Sequence, residues 1–233
     1  MKKLLCRWTV MLFLLGSWNV QAQSEVKSIQ VKKGQVLDAL YITTKKDVGD
    51  QLNEYFKTVF PIAEKSGYHR LPSMKIVGSP TQGNYQPSAL VFGYWDDLQS
   101  REDFLEAVVK VEPDFHQIRR DIWSSFSLAY YELEEDLSFE IDPSKVYVAT
   151  NHWSEDADDF VQFKRDWLSK AKGSGGQVVL EQAHARSPYG YLYDPDYFTI
   201  MSWSSKAAFE QFYKEDLRMD HSAVRHVNQF IVQ

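Results

Sequence analysis

The sequence predicts an α+β protein in which one β-α-β-β-α-β unit occurs twice in tandem. Two turn motifs, a tryptophan and the apolar face of a helix recur at a constant offset of 108 residues. The turn and tryptophan pairs are Ser66-Gly67 and Ser174-Gly175, Ser79-Pro80 and Ser187-Pro188, and Trp95 and Trp203. The helix pairs are Asp50 and Asp158, Leu52 and Phe160, Tyr55 and Phe163, Val59 and Trp167, and Ala63 and Ala171. A gap-free match of this extent, which includes Gly and Pro, indicates a duplication.

The elements of unit one follow from the spacing of its apolar residues and turns. Strands are predicted at 36–43, 69–77, 88–95 and 125–133, with a loop rich in Gly, Pro and Asn at 78–87. Apolar residues spaced by 3 or 4 predict a helix at 48–65. A second helix is predicted to begin with Ser100 as its N-cap, and Pro113 interrupts it.

Unit two repeats these elements. Strands are predicted at 145–151, 177–186, 197–203 and 226–232, helices at 156–172 and 205–225, and a loop at 187–196. Each unit carries a His-x-x-x-Arg motif on its second helix, at His116 and Arg120 in unit one and at His221 and Arg225 in unit two. The motif strengthens the case for a duplication.

The predicted order gives each unit an antiparallel sheet with both helices on one face, a ferredoxin-like arrangement. The bare face of each sheet needs a cover, and the other unit can provide it. We therefore expect an intramolecular pseudo-dimer and a monomeric protein. The expected segments are a signal peptide at 1–22, an N-terminal extension at 23–35, unit one at 36–134, a linker at 135–144 and unit two at 145–233.

The first 22 residues predict export to the periplasm or beyond. Lys2, Lys3 and Arg7 precede a short apolar run at 10–18, and cleavage is expected after Ala22. An uncleaved anchor is the alternative, but the run is shorter than the roughly 20 residues that span a bilayer. Cleavage also removes Cys6, the single cysteine, which excludes thiol catalysis and cysteine-bound zinc or haem in the mature chain.

The charge of the chain limits the partners that we expect. Loss of the three basic residues in the signal changes the formal net charge from −6 to −9. A negative charge of this size argues against binding to nucleic acid, and we expect no membrane association after the signal is cleaved. No phosphate loop, nucleophile elbow, dinucleotide fingerprint or H-E-x-x-H motif is present.

The pattern of a strand ending in Trp203-Ser204-Ser205, followed by Phe209 and His221, resembles the dimeric α+β barrel superfamily. Within it, the sequence is similar to the antibiotic-biosynthesis-monooxygenase family and its haem-degrading relatives. The resemblance implies a site made of an Asn on the first strand, a Trp on the third strand and a His on the second helix. Asn151, Trp203 and His221 occupy those positions in unit two. In unit one Thr43 replaces the Asn, so unit two is expected to be the working half.

The resemblance implies catalytic roles for these three residues. His221 would act as iron ligand or general base, Asn151 would position oxygen and Trp203 would form a wall of the cavity. The cofactor is then either none or a haem bound by His221. The alternatives are a His221 satisfied by a local hydrogen bond, an Asn151 that pairs with the following turn and a Trp203 that packs in the core. A metal site would require His152, His184 and His221 to converge, and none is expected.

A loop rich in tyrosine supplies the remaining candidates. Tyr189 and Tyr191 lie between the second and third strands of unit two, where they can form a lid over an aromatic ligand. The alternative is a hairpin extension packed on the protein. Trp95 and His116 are the substrate-binding candidates of unit one.

These residues predict an exported protein that binds a small apolar or aromatic molecule. The predicted activity is that of a cofactor-independent or haem-degrading monooxygenase. The alternative is a non-catalytic ligand-binding or stress-related module.

Overall fold

The computed structural model describes residues 26–233, and the predicted signal peptide lies outside them. The strands are β1 (Lys27–Val31), β2 (Val36–Thr44), β3 (Tyr68–Arg70), β4 (Met74–Gln82), β5 (Ala89–Trp95), β6 (Trp123–Glu132), β7 (Leu137–Ile141), β8 (Val146–Ser154), β9 (Gln177–Ala183), β10 (Tyr197–Trp203) and β11 (Val224–Val232). The helices are α1 (Gly49–Lys65), α2 (Leu98–Val111), α3 (Phe115–Ile122), α4 (Ala157–Gly173) and α5 (Lys206–Asp216). None of the described helices has the length and apolar character needed to cross a membrane.

Each unit is an antiparallel sheet with its helices on one face. In unit one β2 lies between β5 and β6, and both β3 and β4 pair with β5. In unit two β8 lies between β10 and β11, and β9 pairs with β10. Apolar side chains of α1 to α3 pack on the first sheet and those of α4 and α5 on the second. The predicted pair of ferredoxin-like units is confirmed.

The two sheets join into a barrel along two seams. At the first seam β4 pairs with β11, with Val77 opposite Ile231. At the second seam β6 forms bridges with the loop after β9, where Leu128 and Tyr130 meet Leu192 and Arg186. The aromatic and aliphatic side chains between the sheets form one buried core that both units share. The sheet-to-sheet packing expected from the duplication is therefore present within one chain.

Several element boundaries differ from the prediction: the strand predicted at 69–77 is divided into β3 and β4, and β6, β8 and β9 begin or end a few residues away. Three differences have an identifiable cause. Strand β4 continues to Gln82, inside the predicted loop, because β11 offers it a partner. Helix α2 begins earlier, since the Asp97 carboxylate caps it by accepting a hydrogen bond from the Ser100 amide at 2.7 Å. Helix α5 ends at Asp216, so His221 lies in the turn before β11 and not on a helix.

The predicted extension and linker contain regular structure. Strand β1, within the extension, pairs antiparallel with β7, within the linker. Alternating residues of β1, Ile29 and Val31, are fully buried in the core that the two units share. The two segments therefore form a small separate sheet that covers part of the barrel.

Candidate functional site

The three predicted catalytic residues do not share a site. Side chains alternate between the two faces of a strand, and Asn151 of β8 faces the barrel interior, where its Oδ1 accepts a hydrogen bond of 3.0 Å from the Tyr41 hydroxyl. Trp203 lies on the helix face, packed against Phe209 and Phe212 and 1% exposed. The sheet separates the two residues. The prediction of a joint Asn151, Trp203 and His221 site is wrong in this respect.

His221 is held by two local contacts. Its Nδ1 donates to the Met219 carbonyl at 3.0 Å, and its Nε2 lies 3.4 Å from Oδ1 of the buried Asp216. Burial raises the pKa of Asp216, and His221 opposes that shift. Gln82 of unit one donates to the other carboxylate oxygen at 2.6 Å, so the pair also connects the two units.

These contacts do not fit a haem. An axial histidine needs a ring nitrogen that faces open space. Nε2, the nitrogen that would take the iron, faces Asp216, and His221 lines none of the four main cavities of residues 26–233. The predicted haem-binding role of His221 is therefore not supported by its surroundings.

The tyrosine-rich loop of unit two packs on unit one. The Leu128 amide of β6 donates to the Tyr191 carbonyl at 3.0 Å, and the Tyr191 hydroxyl lies 2.6 Å from Nδ1 of His116. Tyr191 is 9% exposed, whereas Tyr189 points fully into solvent. The loop is thus part of the second seam of the barrel. Of the two alternatives it follows the packed extension and not the lid over an aromatic ligand. Within residues 26–233, β6 pairs with β2 along one edge and bridges to this loop along the other.

Unit one contains an apolar cavity of about 320 Å³ between its helices and the helix face of its sheet. Side chains from β2, β5, β6 and all three helices line it. The main lining residues are Leu40, Ile42, Tyr55, Phe56, Val59, Phe60, Tyr68, Val91, Trp95, Phe104, Trp123 and Phe126. Of the four predicted substrate-binding residues, Trp95 alone lines this cavity. The described structure therefore places the best candidate site in unit one, contrary to the expectation that unit two is the working half.

A buried ion pair forms one polar wall of the cavity. Arg101 Nε donates to Asp38 Oδ1 at 3.0 Å, and the two side chains are 3% and 7% exposed. Trp95 Nε1 donates to the second oxygen, Asp38 Oδ2, at 2.9 Å. The Arg101 guanidinium also stacks 3.8 Å from the ring centroid of Tyr130. Each charged group is thus well satisfied, which a buried ion pair requires.

A second buried arginine, Arg119 of α3, lines the cavity at another point. Its Nε donates to the Tyr55 hydroxyl at 2.8 Å. The guanidinium lies 4.0 and 4.5 Å from the ring centroids of Phe115 and Phe126. Burial lowers the pKa of Arg119, but the hydroxyls of Tyr55 and Tyr191 more than offset this effect. The cation therefore stays charged among aromatic rings.

In unit two, none of the four main cavities of the described residues lies between the helices and the helix face of the sheet. Val59, which lines the unit-one cavity, corresponds to Trp167, and Trp167 is 1% exposed. The ring of His152 fills the neighbouring space and contacts Phe163 and Trp167. Burial lowers the pKa of His152 to about 3, and the nearby His221 contributes to the shift. Larger side chains thus occupy in unit two the space that unit one leaves open.

A groove of about 1000 Å³ lies on the surface of the described residues. Its walls carry charges of both signs, including Glu132, Asp136, Glu181, Lys164 and Arg186. A groove of this kind offers water and ions many partners but gives an apolar molecule little to bind. The smaller apolar cavity is the better candidate for a ligand site.

The sequence contained a signal for this site that the motif analysis missed. Asp38 interrupts an apolar strand, and a carboxylate in such a strand must find a partner when it is buried. Arg119 lies directly before the motif residue Arg120 on α3, and it is buried whereas Arg120 is exposed. In the strand register of unit two Val148 stands at the position of Asp38, so a search for features that both copies share could not find this carboxylate.

Comparison with known proteins finds distant similarity to solved structures. Neither the protein-family models nor the curated proteins include a match to this sequence. Similar solved structures include an anthrone oxidase-like protein, at 16% identity, TM-score 0.44, and coverage of 88% of this chain and 94% of that chain. A chlorite dismutase from Candidatus Nitrospira defluvii in complex with imidazole has 9% identity, TM-score 0.48, and coverage of 87% and 92%. A candidate monooxygenase from Fusobacterium nucleatum has 10% identity, TM-score 0.41, and coverage of 86% and 92%.

The strand topology and the two seams define the class of this protein. It is a dimeric α+β barrel whose two units lie in one chain. The strand order and the pairing between the sheets confirm the fold predicted from the sequence.

Proposed function

We propose that unit one binds a small, largely aromatic molecule in its cavity and that unit two serves as the scaffold that closes the barrel. The contrast between the open layer of unit one and the filled layer of unit two carries this proposal. A volume of about 320 Å³ lies within the range of roughly 300–1000 Å³ that is typical of small-ligand sites. The rings of Phe56, Phe60 and Trp95 provide apolar faces for a flat molecule.

Binding fits the lining residues better than oxygenation does. A cofactor-independent oxygenase needs a base that removes a proton from the substrate. No histidine is among the described residues that line the cavity, and Asp38 is engaged by Arg101 and Trp95. Burial, and then the charge of Asp38, raises the pKa of Tyr68, so this phenol stays protonated. We therefore propose a ligand-binding protein over a monooxygenase.

Substitution of Val59 by Trp should abolish ligand binding. Unit two carries Trp167 at the matching position, so the fold has a precedent for this side chain, and the indole would fill much of the cavity. The probe is 2-naphthamide, a neutral flat molecule, titrated by calorimetry. We expect wild-type protein to bind it with a dissociation constant of about 1 mM or tighter. The Val59→Trp variant should show no heat of binding.

The control is Val161→Trp, which introduces the same side chain on the exposed face of α4, where Val161 is 56% exposed. This variant should bind the probe as the wild type does. Undiminished binding to Val59→Trp protein that circular dichroism shows to be folded would place the ligand elsewhere and refute the proposal.

We also propose that the protein acts after export, in the periplasm or outside the cell, as a monomer. The basic and apolar pattern of residues 1–22 supports export. The internal pseudo-dimer supports the monomer, because each unit already covers the bare sheet face of the other. Recovery of the chain from the cytoplasm alone, or a sedimentation mass of two chains, would contradict this part of the proposal.

A further inference from the structure

Arg119 brings a buried positive charge to the cavity without a carboxylate to balance it. Arg119 is 8% exposed, and no Asp or Glu of residues 26–233 lies within salt-bridge distance of its guanidinium. Its Nε donates a hydrogen bond to the Tyr55 hydroxyl at 2.8 Å, and the Tyr191 hydroxyl also lies close to the guanidinium. A guanidinium has five N–H donors, and the acceptors that the described chain offers to them are the hydroxyls of Tyr55 and Tyr191, which are neutral.

Arg101, in the same cavity, shows what a satisfied buried arginine looks like here. It has an ion pair with Asp38 at 3.0 Å and an aromatic ring, Tyr130, at 3.8 Å. Arg119 has the rings of Phe115 and Phe126 and neutral tyrosine hydroxyls, but no carboxylate. Rings on the face of a guanidinium stabilise its charge, but they leave the N–H groups at its edge free. The difference between the two arginines is therefore one missing anion.

The charges near Arg119 also favour the binding of an anion. His116, one turn away on α3, has its pKa lowered by partial burial and then by the charges of Arg119 and Arg120. The local potential is thus positive, although the protein as a whole carries a formal net charge of −6. A positive site within a negative protein favours an anion that enters the cavity over a cation.

We propose that the cavity of unit one is selective for aromatic carboxylates and that Arg119 binds the carboxylate. The planar fork of terminal N–H groups matches the two oxygens of a carboxylate, while the apolar lining receives the ring. This inference rests on the proposed function, because it requires that the cavity binds a small molecule.

A matched pair of probes tests the inference on wild-type protein. 2-Naphthoate and 2-naphthamide have nearly the same shape and size, but only the former is an anion at pH 7. Calorimetry should give 2-naphthoate an affinity about tenfold or more above that of the amide, since a charge-assisted hydrogen bond is stronger than a neutral one. This comparison needs no variant and holds even where substitution of Arg119 prevents folding.

Arg119→Gln should abolish the preference for the anion. The variant is expected to lose about tenfold or more in affinity for 2-naphthoate and to bind 2-naphthamide as before. Arg120→Gln is the control, because it removes the same charge from the next residue of α3, which is exposed and bonded to Gln117. That variant should retain the preference for 2-naphthoate.

The outcomes separate the two proposals. If wild-type protein binds both probes equally well and Val59→Trp abolishes both, the cavity is a ligand site and the anion inference is wrong. If Arg119→Gln and Arg120→Gln weaken 2-naphthoate binding by the same factor, the effect is one of general charge, and the role of Arg119 is refuted. If neither probe binds the wild type, the proposed function fails and the inference fails with it.

Discussion

Replacing Arg101 by Met should lower the free energy of unfolding by about 3–5 kcal/mol, the usual cost of removing one partner of a buried ion pair. The substitution leaves the Asp38 carboxylate buried, with the Trp95 indole as its remaining partner among the contacts described. It also removes the stacking of the guanidinium on Tyr130. Urea denaturation at pH 7, followed by circular dichroism, measures the change.

Two further variants test the physical reason for this loss. Lys110→Met on the same helix breaks the Lys110–Glu106 pair, whose side chains are 74% and 78% exposed, and should cost less than about 1 kcal/mol. The double variant Asp38→Leu with Arg101→Met removes both charges. It should be more stable than Arg101→Met alone, because no unpaired charge stays buried. A double variant that is less stable would show that the loss comes from packing and not from charge.

The fold could be predicted from the sequence because the two copies carry the same local signals at equivalent positions. Helix positions such as Tyr55 and Phe163 repeat with the period of a helix, and the turns at Ser66-Gly67 and Ser174-Gly175 fix where each helix ends. These are local signals, and each copy supports the interpretation of the other. The element boundaries that were missed depend on distant partners. Strand β4 extends to Gln82 only because β11 pairs with it.

The site could not be predicted in the same way because it depends on differences between the copies. A motif that both units share indicates what their common ancestor had, but it does not show which copy forms a site. His221 and His116 make local contacts, and the two tryptophans have different surroundings. Trp203 is buried against Phe212, while Trp95 lines the cavity. Whether a layer is open or filled depends on side-chain volumes that meet across several elements, as Val59 and Trp167 show.

The two units are therefore unequal in function although they are equal in topology. Unit one retains polar groups, Asp38, Arg101 and Arg119, on the helix face of its sheet, and it leaves space beside them. Unit two replaces that space with Trp167 and aromatic neighbours. A filled layer contributes more apolar burial than an open one, so unit two can offset stability that unit one gives up for its cavity.

His152 makes the filled layer of unit two sensitive to acid, and this effect should be as large as that of the Arg101 substitution. Its pKa falls from an ordinary value of 6.5 to about 3, first because of burial and then because of His221. Between these two pH values the unfolded chain binds a proton that the folded chain does not bind. Stability must therefore decrease as the pH is lowered, by about 1.4 kcal/mol for each pH unit between roughly 6.5 and 3.

The substitution His152→Phe should remove this dependence. Phe fits the aromatic surroundings of Phe163, Trp167 and Tyr197, and His152 Nδ1 has no hydrogen-bond partner in the described chain that the change would break. Urea denaturation at pH 7, 6, 5 and 4.5 gives the free energy of unfolding of both proteins. Between pH 7 and pH 4.5 the free energy of unfolding of the wild type should fall by about 3 kcal/mol more than that of the variant. The reason is that acid no longer protonates this position in the unfolded chain of the variant.

The control is His184→Asn, at an exposed position with a φ of 56°, a backbone conformation that Asn tolerates. It removes one histidine from the unfolded chain as well, but it should leave the difference between pH 7 and pH 4.5 close to that of the wild type. If His152→Phe loses stability with acid as steeply as the wild type does, His152 is protonated in the folded protein. The layer around it would then be open to water, and the contrast between a filled unit two and an open unit one, on which the proposed site depends, would fail.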